Sequence, residues 1–351
     1  MLLYIHIPFC DSKCHYCAFN SYTYLHGLRD DYMKALEKQL KYELEKNDKK
    51  IETIFIGGGT PSCIKGEYYQ NIMDIVKPYL EPNSEVTIEA NPNSASKKWL
   101  EEVYKAGINR ISFGVQSFND KKLEFLGRSH NKTQAVQAVN DAYNSGFKHI
   151  NVDIIYDTAL DTKELLQDDI TIIKELPVDH VSAYSLTIEE GTKFYDRSSV
   201  RVEDIHNAKY LFKELENTGF KQYEISNFAK SADARSKHNL GYWQYKEYLG
   251  IGSGAVGCIN KTRVYGKKDV QEYINDPLEY EETEILSSED IVIEKILLGF
   301  RNISGFKLEI LNKKQLKNLK ELEVEGKVIV KDDKAYSSDF MLADELALYI
   351  D

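Results

Sequence analysis

Three of the five cysteines lie within eight residues near the start of the sequence, spaced C-x3-C-x2-C as Cys10, Cys14 and Cys17. They follow an apolar run that predicts a β-strand, and a tight loop after a strand can direct three thiolates at one point. Thiolates are preferred ligands of iron–sulfur clusters and zinc. A structural zinc site needs a fourth Cys or His at regular spacing, and none follows. The spacing therefore predicts a four-iron cluster with one open iron; a surface loop or partial zinc site is the alternative.

The residues around the cysteines carry a more specific pattern. The stretch 4–17, Y-x-H-I-P-F-C-x3-C-x-Y-C, resembles the motif of the radical S-adenosylmethionine (SAM) enzymes. Within them it is similar to the branch that contains oxygen-independent coproporphyrinogen III oxidase and the HemW-type heme chaperones. The resemblance implies that Cys10, Cys14 and Cys17 hold a [4Fe–4S] cluster whose fourth iron is chelated by SAM. It also implies that an electron from the cluster can cleave SAM to a 5′-deoxyadenosyl radical.

Further positions fit the same family. The run 57–61, G-G-G-T-P, lets a backbone approach a ligand closely, although a structural turn could use the same residues. Glu89 alone would more often be a solvated strand end, Arg128 suits a planar carboxylate contact, and Asp153 lies in an apolar strand where an unpaired carboxylate is costly. By the resemblance, the SAM-binding residues are Tyr4, Tyr16, Gly58, Gly59, Thr60, Glu89, Gln116, Arg128 and Asp153.

A second distinctive stretch is H-N-L-G-Y-W at 238–243, followed by a glycine-rich run at 250–257. A histidine beside tyrosine and tryptophan can ligate heme iron while the aromatic rings pack on the macrocycle. The alternative is a core histidine in an aromatic cluster, which residue chemistry alone favours. The H-N-x2-Y-W pattern resembles one typical of the HemW group, where it is linked to heme binding. The resemblance therefore predicts His238 as a heme ligand.

The two remaining cysteines follow the two glycine-rich runs. Cys63 comes after G-G-G-T-P and Cys258 after the run 250–257, where a methyl-carrying or radical-quenching thiol would be expected. A lone cysteine is more often a small buried hydrophobe. We therefore predict that neither cysteine takes part in catalysis.

A regular framework must position these residues, and the sequence predicts one. Six strand–helix units of about thirty to fifty residues indicate a parallel α/β architecture. The candidate residues fall at strand ends, the edge where a β/α barrel builds its active site. Periodicity does not separate a barrel from an open doubly wound sheet, but the resemblance implies a partial (β/α)6 radical SAM barrel. Residues 223–228 are predicted as a seventh strand. Later helices are predicted at 96–105, 132–144, 162–175 and 203–217.

The composition changes after about residue 260. Amphipathic helices are predicted at 288–301 and 313–325, then a hairpin turning at Asp332-Asp333 and a last helix to about 350. This order resembles the small C-terminal winged-helix-like α+β domain of the family. No helix there has a clear basic face, so we predict a lid or docking module. The predicted domains are the barrel at 1–235, a linker at 236–264 and the C-terminal domain at 265–351.

Bulk composition limits the classes of function and the compartment. The formal net charge of −11 disfavours nucleic-acid binding, because phosphate contacts need a basic face. No run of 18 apolar residues predicts a transmembrane segment, although peripheral membrane contact stays open. The first predicted strand begins at the N-terminus without a signal segment. Clustered cysteines fit a reducing compartment, so we expect a cytoplasmic protein.

Departures from the family pattern decide between its branches. The oxidase typically has a fourth cysteine where this sequence has Phe19, and an N-terminal extension that is missing here. Asp157–Leu160 replaces a Gly-Leu-Pro turn, and Val256 replaces a histidine often found in the second glycine-rich loop. The expected function is a HemW-type chaperone that binds the cluster, SAM and heme and delivers heme to acceptor proteins. An electron donor such as flavodoxin or ferredoxin is a further expected partner. The alternatives are the oxidase and a radical SAM methyltransferase.

Overall fold

Strands and helices alternate through most of the chain. The computed structural model describes residues 1–351 apart from the side chain of Ser198. The strands are β1 (Leu2–Ile7), β2 (Ile51–Gly58), β3 (Leu80–Ala90), β4 (Arg110–Gln116), β5 (His149–Tyr156), β6 (His180–Ser185), β7 (Lys221–Gln222), β8 (Asn227–Ala229), β9 (Tyr248–Ile251), β10 (Val256–Ile259), β11 (Thr262–Gly266), β12 (Tyr280–Ile285), β13 (Phe306–Lys307), β14 (Val328–Lys331) and β15 (Lys334–Ser337). The helices are α1 (Arg29–Glu45), α2 (Gly66–Val76), α3 (Lys97–Ala106), α4 (Asp120–Leu126), α5 (Lys132–Ser145), α6 (Lys163–Glu175), α7 (Ile205–Asn217), α8 (Lys237–Trp243), α9 (Val270–Asn275), α10 (Ser288–Phe300), α11 (Lys313–Val324) and α12 (Ala343–Ile350).

The main sheet is parallel in its centre and antiparallel at both edges. Its order is β12-β11-β10-β9-β1-β2-β3-β4-β5-β6-β8-β7, and the pairs from β9 to β6 are parallel. Helices follow each of β1 to β6, which confirms the six predicted strand–helix units and the parallel α/β architecture. Parallel strands joined by helices bring their carboxyl ends to one edge. That edge carries the predicted site.

Side-chain alternation gives the barrel an apolar outer layer and a polar interior. In β5, Ile150, Val152 and Ile154 are buried in the core shared with the helices. The alternate residues Asn151 and Asp153 face the other side, where they hydrogen-bond to each other. Because successive side chains of a strand point to opposite faces, one strand contributes apolar residues to the outer core and polar residues to the barrel interior. The core therefore holds the strands while their other face is left for ligand chemistry.

The last sixty residues form a second core. Helices α10, α11 and α12 pack with a three-stranded sheet of order β13-β15-β14. The hairpin turns at Asp332 and Asp333, whose φ angles of 51° and 58° suit a tight hairpin turn. This is the predicted order of helices, hairpin and final helix; its winged-helix character stays a prediction. In the part of the chain that the structure describes, every helix is too short or too polar to span a bilayer.

Two sequence predictions of the framework are wrong. Residues 236–264 are not a linker, because β9 pairs in parallel with β1 and β10 and β11 continue the same sheet. Glycine permits this packing: a Cβ on Gly250 would lie 2.1 Å from the carbonyl oxygen of Val256. The strand predicted at 223–228 has the wrong bounds: the structure has β8 at Asn227–Ala229, and it pairs antiparallel with β6. The seventh parallel strand is β9, which the glycine-rich composition concealed.

Candidate cofactor-binding site

The loop between β1 and α1 carries the three clustered cysteines and is fastened at several points. The side chain of Phe9 is fully buried in the main core. The amide of Cys10 donates to the carbonyl oxygen of Tyr22 at 3.1 Å, and Lys13 Nζ donates to the carbonyl oxygen of Phe19 at 2.9 Å. A loop of small and polar residues thus gains a defined shape from one apolar anchor and several internal hydrogen bonds.

A cavity of about 380 Å³ opens at the carboxyl edge of the barrel beside this loop. Residues from the loop and from β2, β3, β4 and β5 meet on its wall, as expected for a β/α barrel. The structure brings together nearly all residues predicted from the sequence. Those lining the cavity are Cys10, Cys14, Tyr16, Cys17, Gly58, Gly59, Thr60, Glu89, Gln116, Arg128 and Asp153.

A directed chain of hydrogen bonds connects two of the cysteines across the cavity wall. Thr60 Oγ1 donates to Sγ of Cys10 at 3.3 Å, and Asn91 Nδ2 donates to Thr60 Oγ1 at 3.0 Å. Arg128 Nη2 donates to Asn91 Oδ1 at 2.5 Å, while its Nη1 donates to Sγ of Cys14 at 3.1 Å. Both sulfurs are therefore acceptors. Donors aimed at sulfur stabilise thiolates, the form in which cysteine ligates a metal.

The three thiols share a wall but do not converge on one ion. Among the described residues, no three His, Cys, Asp or Glu side chains are placed to hold a single metal ion. The partial zinc site, named above as the alternative, therefore gains no support from the described residues. In a four-iron cluster each cysteine ligates a different iron. Separate thiols lining one cavity with donors behind them fit a [4Fe–4S] cluster.

The glycines at the end of β2 allow the strand to lie directly against the cysteine loop. Gly58 has φ +113°, and a Cβ there would lie 2.6 Å from the His6 ring. A Cβ on Gly59 would lie 2.6 Å from the carbonyl oxygen of Phe9 and 3.0 Å from Sγ of Cys10. Any side chain would therefore push the loop away. The G-G-G-T-P run is required by this close approach, and it leaves backbone exposed to the cavity.

Two acidic side chains face the cavity with unused hydrogen-bonding capacity. Burial, with the nearby Asp153 charge second, raises the pKa of Glu89 to about 8, and its Oε2 accepts from the Gly58 amide at 3.1 Å. Burial raises the pKa of Asp153 to about 6, although Asn151 Nδ2 donates to it at 2.7 Å. Buried carboxyl groups seek donors. An ammonium group and ribose hydroxyls supply such donors, so the wall fits SAM.

Gln116 is held in an uncommon backbone conformation by a residue that sequence reasoning missed. Its φ is +69°, in the left-handed region. The carboxylate of Asp169 on α6 accepts from Ser117 Oγ at 2.8 Å and from the Phe118 amide at 2.6 Å. Asp169 therefore positions the end of β4. The sequence did contain a sign of this role, because Asp169 is a charged residue on the same face of α6 as the apolar Leu166 and Ile173, which are buried.

Other cavity residues were also missed. Asn91, the central member of the hydrogen-bond chain, follows Glu89 by two residues in the sequence, which assigned it no role. Tyr184 is an inward residue of β6, and its alternation with buried Val181 and Ala183 was the available signal. A further part of the wall, beyond the end of β6, consists of Ser185, Leu186, Thr187 and Glu189. Nothing in the sequence pattern marked this segment.

Two predicted residues lie away from the cavity. Tyr4 does not line the cavity. Its hydroxyl lies 2.9 Å from Nδ1 of His6, and Nε2 of the same imidazole contacts the carbonyl oxygen of Asn20 in the cysteine loop. His238 lies against Thr53, near the opposite end of β2, with 2.8 Å between Nδ1 and Oγ1. Only 1% of His238 is exposed, and burial lowers its pKa to about 3. This placement contradicts the predicted heme ligation, because a macrocycle cannot reach the buried imidazole.

The altered loop after β5 is closed by a buried ion pair. Lys122 Nζ lies 2.5 Å from Asp161 Oδ1 and 2.6 Å from the carbonyl oxygen of Ile155, with both charged side chains almost fully buried. Asp157 has φ +63°, and its carboxylate accepts from Ser185 Oγ at 2.6 Å. These contacts take the place of a Gly-Leu-Pro turn. They connect the ends of β5 and β6, which form one side of the cavity.

Comparison with known proteins shows the family to which the chain belongs. Residues 4–168 match the Radical SAM superfamily. The chain is 36% identical over 317 residues to the heme chaperone HemW of Bacillus subtilis (strain 168), covering 86% of this chain and 83% of that protein. It is 38% identical over 270 residues to HemW of Escherichia coli (strain K12), covering 73% and 70%. The chain belongs to the HemW family of radical SAM proteins.

The HemW-family chain also shares its fold with a solved enzyme. The chain superimposes on the structure of coproporphyrinogen III oxidase (HemN) from Escherichia coli, a radical SAM enzyme, with a TM-score of 0.82 and 20% identity. The superposition covers 100% of this chain and 89% of the oxidase chain. That likeness concerns the fold alone. Where the oxidase pattern has a fourth cysteine, this member of the HemW family presents Phe19, which is 65% exposed at the cavity.

The second glycine-rich run supports the cysteine loop from outside the cavity. Asn20 Nδ2 donates to the carbonyl oxygen of Ser253 at 3.3 Å, and a Cβ on Gly252 would lie 2.6 Å from the carbonyl oxygen of His6. Val256 belongs to β10 and does not line the cavity. The exchange of histidine for valine there leaves the cavity wall of this HemW-family chain unchanged.

Proposed function

We propose that this protein is a heme chaperone that binds a [4Fe–4S] cluster through Cys10, Cys14 and Cys17, binds SAM in the same cavity, and delivers heme to acceptor proteins. The observation that carries the proposal is the 36% identity to a relative named a heme chaperone, which extends over most of both chains. The cavity supports the cofactor part, since the thiols of Cys10 and Cys14 accept hydrogen bonds and the buried carboxyl groups of Glu89 and Asp153 can accept further ones.

The residues of the chain have distinct parts in this proposal. When bound, the cluster supplies one-electron chemistry to SAM. Thr60 and Arg128 stabilise the thiolates of Cys10 and Cys14 by donating hydrogen bonds to sulfur. Glu89 accepts from the ammonium group of SAM, and Asp153 accepts from the ribose.

The second candidate function is coproporphyrinogen III oxidation, favoured by the fold shared with HemN. In that reaction hydrogen is abstracted from propionate side chains, which then lose carbon dioxide. Phe19 argues against it, since an exposed phenyl ring replaces the fourth cysteine of the oxidase pattern. Fold alone does not decide function, because one barrel hosts many reactions.

The proposal also names partners and a compartment. All five cysteines are free thiols, and free thiols persist in the reducing cytoplasm. Reduction of the cluster needs a one-electron donor, for which flavodoxin or ferredoxin is the proposed class. The proposed heme acceptors are heme-dependent proteins, and the proposal includes peripheral contact with a bilayer.

A single anaerobic sample separates the two functions. The cluster is reconstituted, and the sample is divided between a heme titration followed at the Soret band and an assay with coproporphyrinogen III, SAM and reductant. We expect saturable heme binding without conversion to protoporphyrinogen IX. A Cys14→Ala variant serves as the control without a complete cluster. Robust conversion would replace the chaperone proposal with the oxidase, and absence of heme binding would contradict it.

A further inference from the structure

A second network of buried hydrogen bonds lies inside the barrel and ends at Asp153. We call it the His180 network; its members are Asn151 of β5, His180 and Ser182 of β6, Tyr223 and Ser236. Each member is 3% exposed or less. Asp153 lines the SAM cavity, whereas the members of the network do not. One proposed SAM ligand is thus backed by polar groups that solvent does not reach.

The chemistry of Asp153 fixes the direction of the nearest bonds. A carboxylate only accepts, so Asn151 turns Nδ2 toward Asp153 Oδ1, at 2.7 Å. The amide oxygen of Asn151 then faces His180, with 2.6 Å between Oδ1 and Nδ1. That oxygen also only accepts, so the imidazole proton is on Nδ1. Ser182 Oγ donates to the same oxygen at 3.2 Å. His180 and Ser182 therefore hold the amide in the orientation that Asp153 requires.

The other nitrogen of the imidazole is held as well. With the proton on Nδ1, Nε2 of His180 carries a lone pair, and the hydroxyl of Tyr223 donates to it at 2.7 Å. The Ser236 amide donates to the Tyr223 oxygen at 3.0 Å, which leaves the phenol proton for His180. Ser236 is the N-cap of α8, the helix that carries the H-N-x2-Y-W stretch. The bonds of the network thus point from α8 toward Asp153.

Burial keeps His180 neutral, as this arrangement requires. It lowers the pKa of the imidazole well below the usual 6.5, and the charges of Arg110 and His149 act in the same direction. Burial also raises the pKa of Tyr223, whose hydroxyl stays protonated and able to donate. A protonated imidazole would lose the lone pair that accepts from Tyr223. The network therefore keeps one arrangement of protons at neutral pH.

Asp153 depends on the network for its charge. Burial raises the pKa of its carboxyl group to about 6, and the hydrogen bond from Asn151 is the largest cause that opposes this rise. The other opposing groups are Ser182, Arg128 and Ser112, and the titratable groups whose pKa the Asp153 charge raises are Glu89 and Tyr184. Without a correctly turned amide, Asp153 would hold its proton at a higher pH and stop accepting from a hydroxyl.

We propose that His180 is a positioning residue of the SAM site: through Asn151, it holds the carboxylate of Asp153 as the acceptor for the ribose hydroxyls. His180 does not line the cavity and acts only through its neighbours. The inference rests on the proposed binding of SAM by Asp153 and adds the residues that support it. If His180 only stabilised the fold, its loss would change the free energy of unfolding but not the pH dependence of SAM binding.

The test compares His180→Phe with wild type in the full chain with the cluster reconstituted. Equilibrium dialysis with labelled SAM measures affinity between about pH 5.5 and pH 8.5. Wild-type affinity should fall as pH decreases through about 6, the pKa of Asp153. In His180→Phe the fall should begin about one pH unit higher, so that binding is nearly tenfold weaker than wild type at about pH 5.5 and close to wild type at about pH 8.5. Glu89 titrates in both proteins, so the difference between them isolates Asp153.

Two further variants make the comparison specific. His180→Asn keeps an N–H donor toward Asn151 in place of Nδ1 and should restore the wild-type pH dependence. His238→Phe is the matched control, because His238 is equally buried inside the barrel but bonds to Thr53. It should leave the pH dependence of SAM affinity unchanged. Tyr223→Phe removes a single hydroxyl and covers the case in which His180→Phe fails to fold; it should shift the pH dependence in the same direction.

A second readout needs no SAM. The infrared C=O stretching band of protonated Asp153, identified by its loss in Asp153→Asn, reports the protonation of this carboxyl group directly. Asn151→Ala removes the donor itself and should raise the midpoint of this titration at least as far as His180→Phe does.

The outcomes separate this inference from the function beneath it. Wild-type protein that binds no SAM would contradict the proposed function. Wild-type binding with an unchanged midpoint in folded His180→Phe or Tyr223→Phe would overturn the role of His180 alone. An equal shift in His238→Phe would also overturn it, because general loosening of the barrel interior would then explain the effect.

Discussion

Arg128 and Cys14 are separated by 114 residues, yet Nη1 donates a 3.1 Å hydrogen bond to Sγ. The same guanidinium reaches Asn91 and the carbonyl oxygen of Gly114, each at 2.5 Å. One planar cation therefore ties the cysteine loop to the ends of β3 and β4. Because the guanidinium group of Arg128 is planar and rigid, it fixes the position of the cysteine loop and also places a positive charge beside Sγ of Cys14.

This relationship predicts the effect of Arg128→Lys. Lysine keeps the charge but cannot serve three acceptors in one plane, so we expect the reconstituted cluster to be lost to a chelator about tenfold faster. Loss is followed by iron–sulfur absorbance over time. Arg110→Lys is the matched control, since Arg110 at the start of β4 is also buried but donates to the carbonyl oxygen of Ala234. Equal cluster loss in both variants would mean that general destabilisation explains the effect.

The cysteine assignment gives a second prediction. Replacing Cys10, Cys14 or Cys17 with Ala should remove most of the iron–sulfur absorbance near ~400 nm after reconstitution. Cys63→Ala and Cys258→Ala should retain it. Burial raises the pKa of the Cys63 thiol to about 12, and its Sγ donates to the carbonyl oxygen of Phe9 at 3.4 Å. If Cys63→Ala lost the cluster as completely as Cys14→Ala, the ligand set would need revision.

A third prediction concerns SAM. Asp153→Ala should weaken SAM binding while leaving cluster content intact, because the carboxylate is proposed to accept from the ribose. Loss of one charge-assisted hydrogen bond costs roughly 1.5–3 kcal/mol. Equilibrium dialysis with labelled SAM measures the affinity. Asp179→Ala is the control, since Asp179 precedes β6 at the far end of the barrel and accepts from the Ile150 amide. Wild-type affinity in folded Asp153→Ala would remove Asp153 from the site.

Hydrophobic periodicity predicted those helices and strands whose formation depends mainly on residues close in sequence. The helix predicted over 162–175, observed as α6, and the polar Asp153 within β5 follow from periodicity. Parallel β/α connections then bring the carboxyl ends of the strands to the same edge. The pairing of strands that are far apart in the sequence could not be predicted. Tyr248 of β9 lies beside Leu2 of β1, but nothing in a short glycine-rich strand names its partner.

Side-chain placement was harder still to predict. The aromatic neighbours of His238 suited both a heme pocket and a core cluster, and only the packing on Thr53 and Phe55 decides. Asn91 was overlooked because its partners Thr60 and Arg128 lie in the segments after β2 and after α4, 31 and 37 residues away along the chain.

Glu89 gives a prediction about pH. Burial raises its pKa from the usual 4.5 to about 8, so the folded protein holds a proton that the unfolded chain releases above pH 4.5. Stability contributed by the neutral acid is full below that pH and is lost as pH rises through about 8. Without cofactors, the free energy of unfolding should fall over this window by on the order of 3 kcal/mol. Glu89→Gln should flatten the fall in denaturant titrations at several pH values; an identical slope would contradict the buried acid.

His238 gives the opposite dependence. Burial lowers its pKa from 6.5 to about 3, so the folded protein keeps the imidazole neutral while the unfolded chain takes up a proton below pH 6.5. Its contribution is full above that pH and is lost as pH falls toward about 3. His238→Gln can keep a hydrogen bond to Thr53 but does not titrate, so we expect the variant to lose less stability between about pH 6.5 and pH 4 than wild type, by on the order of 2 kcal/mol. His26→Gln, at an exposed histidine, should behave as wild type. If His238→Gln shows the full acid sensitivity of wild type in urea titrations, His238 is not the buried neutral group described here, and its imidazole returns as a candidate heme ligand.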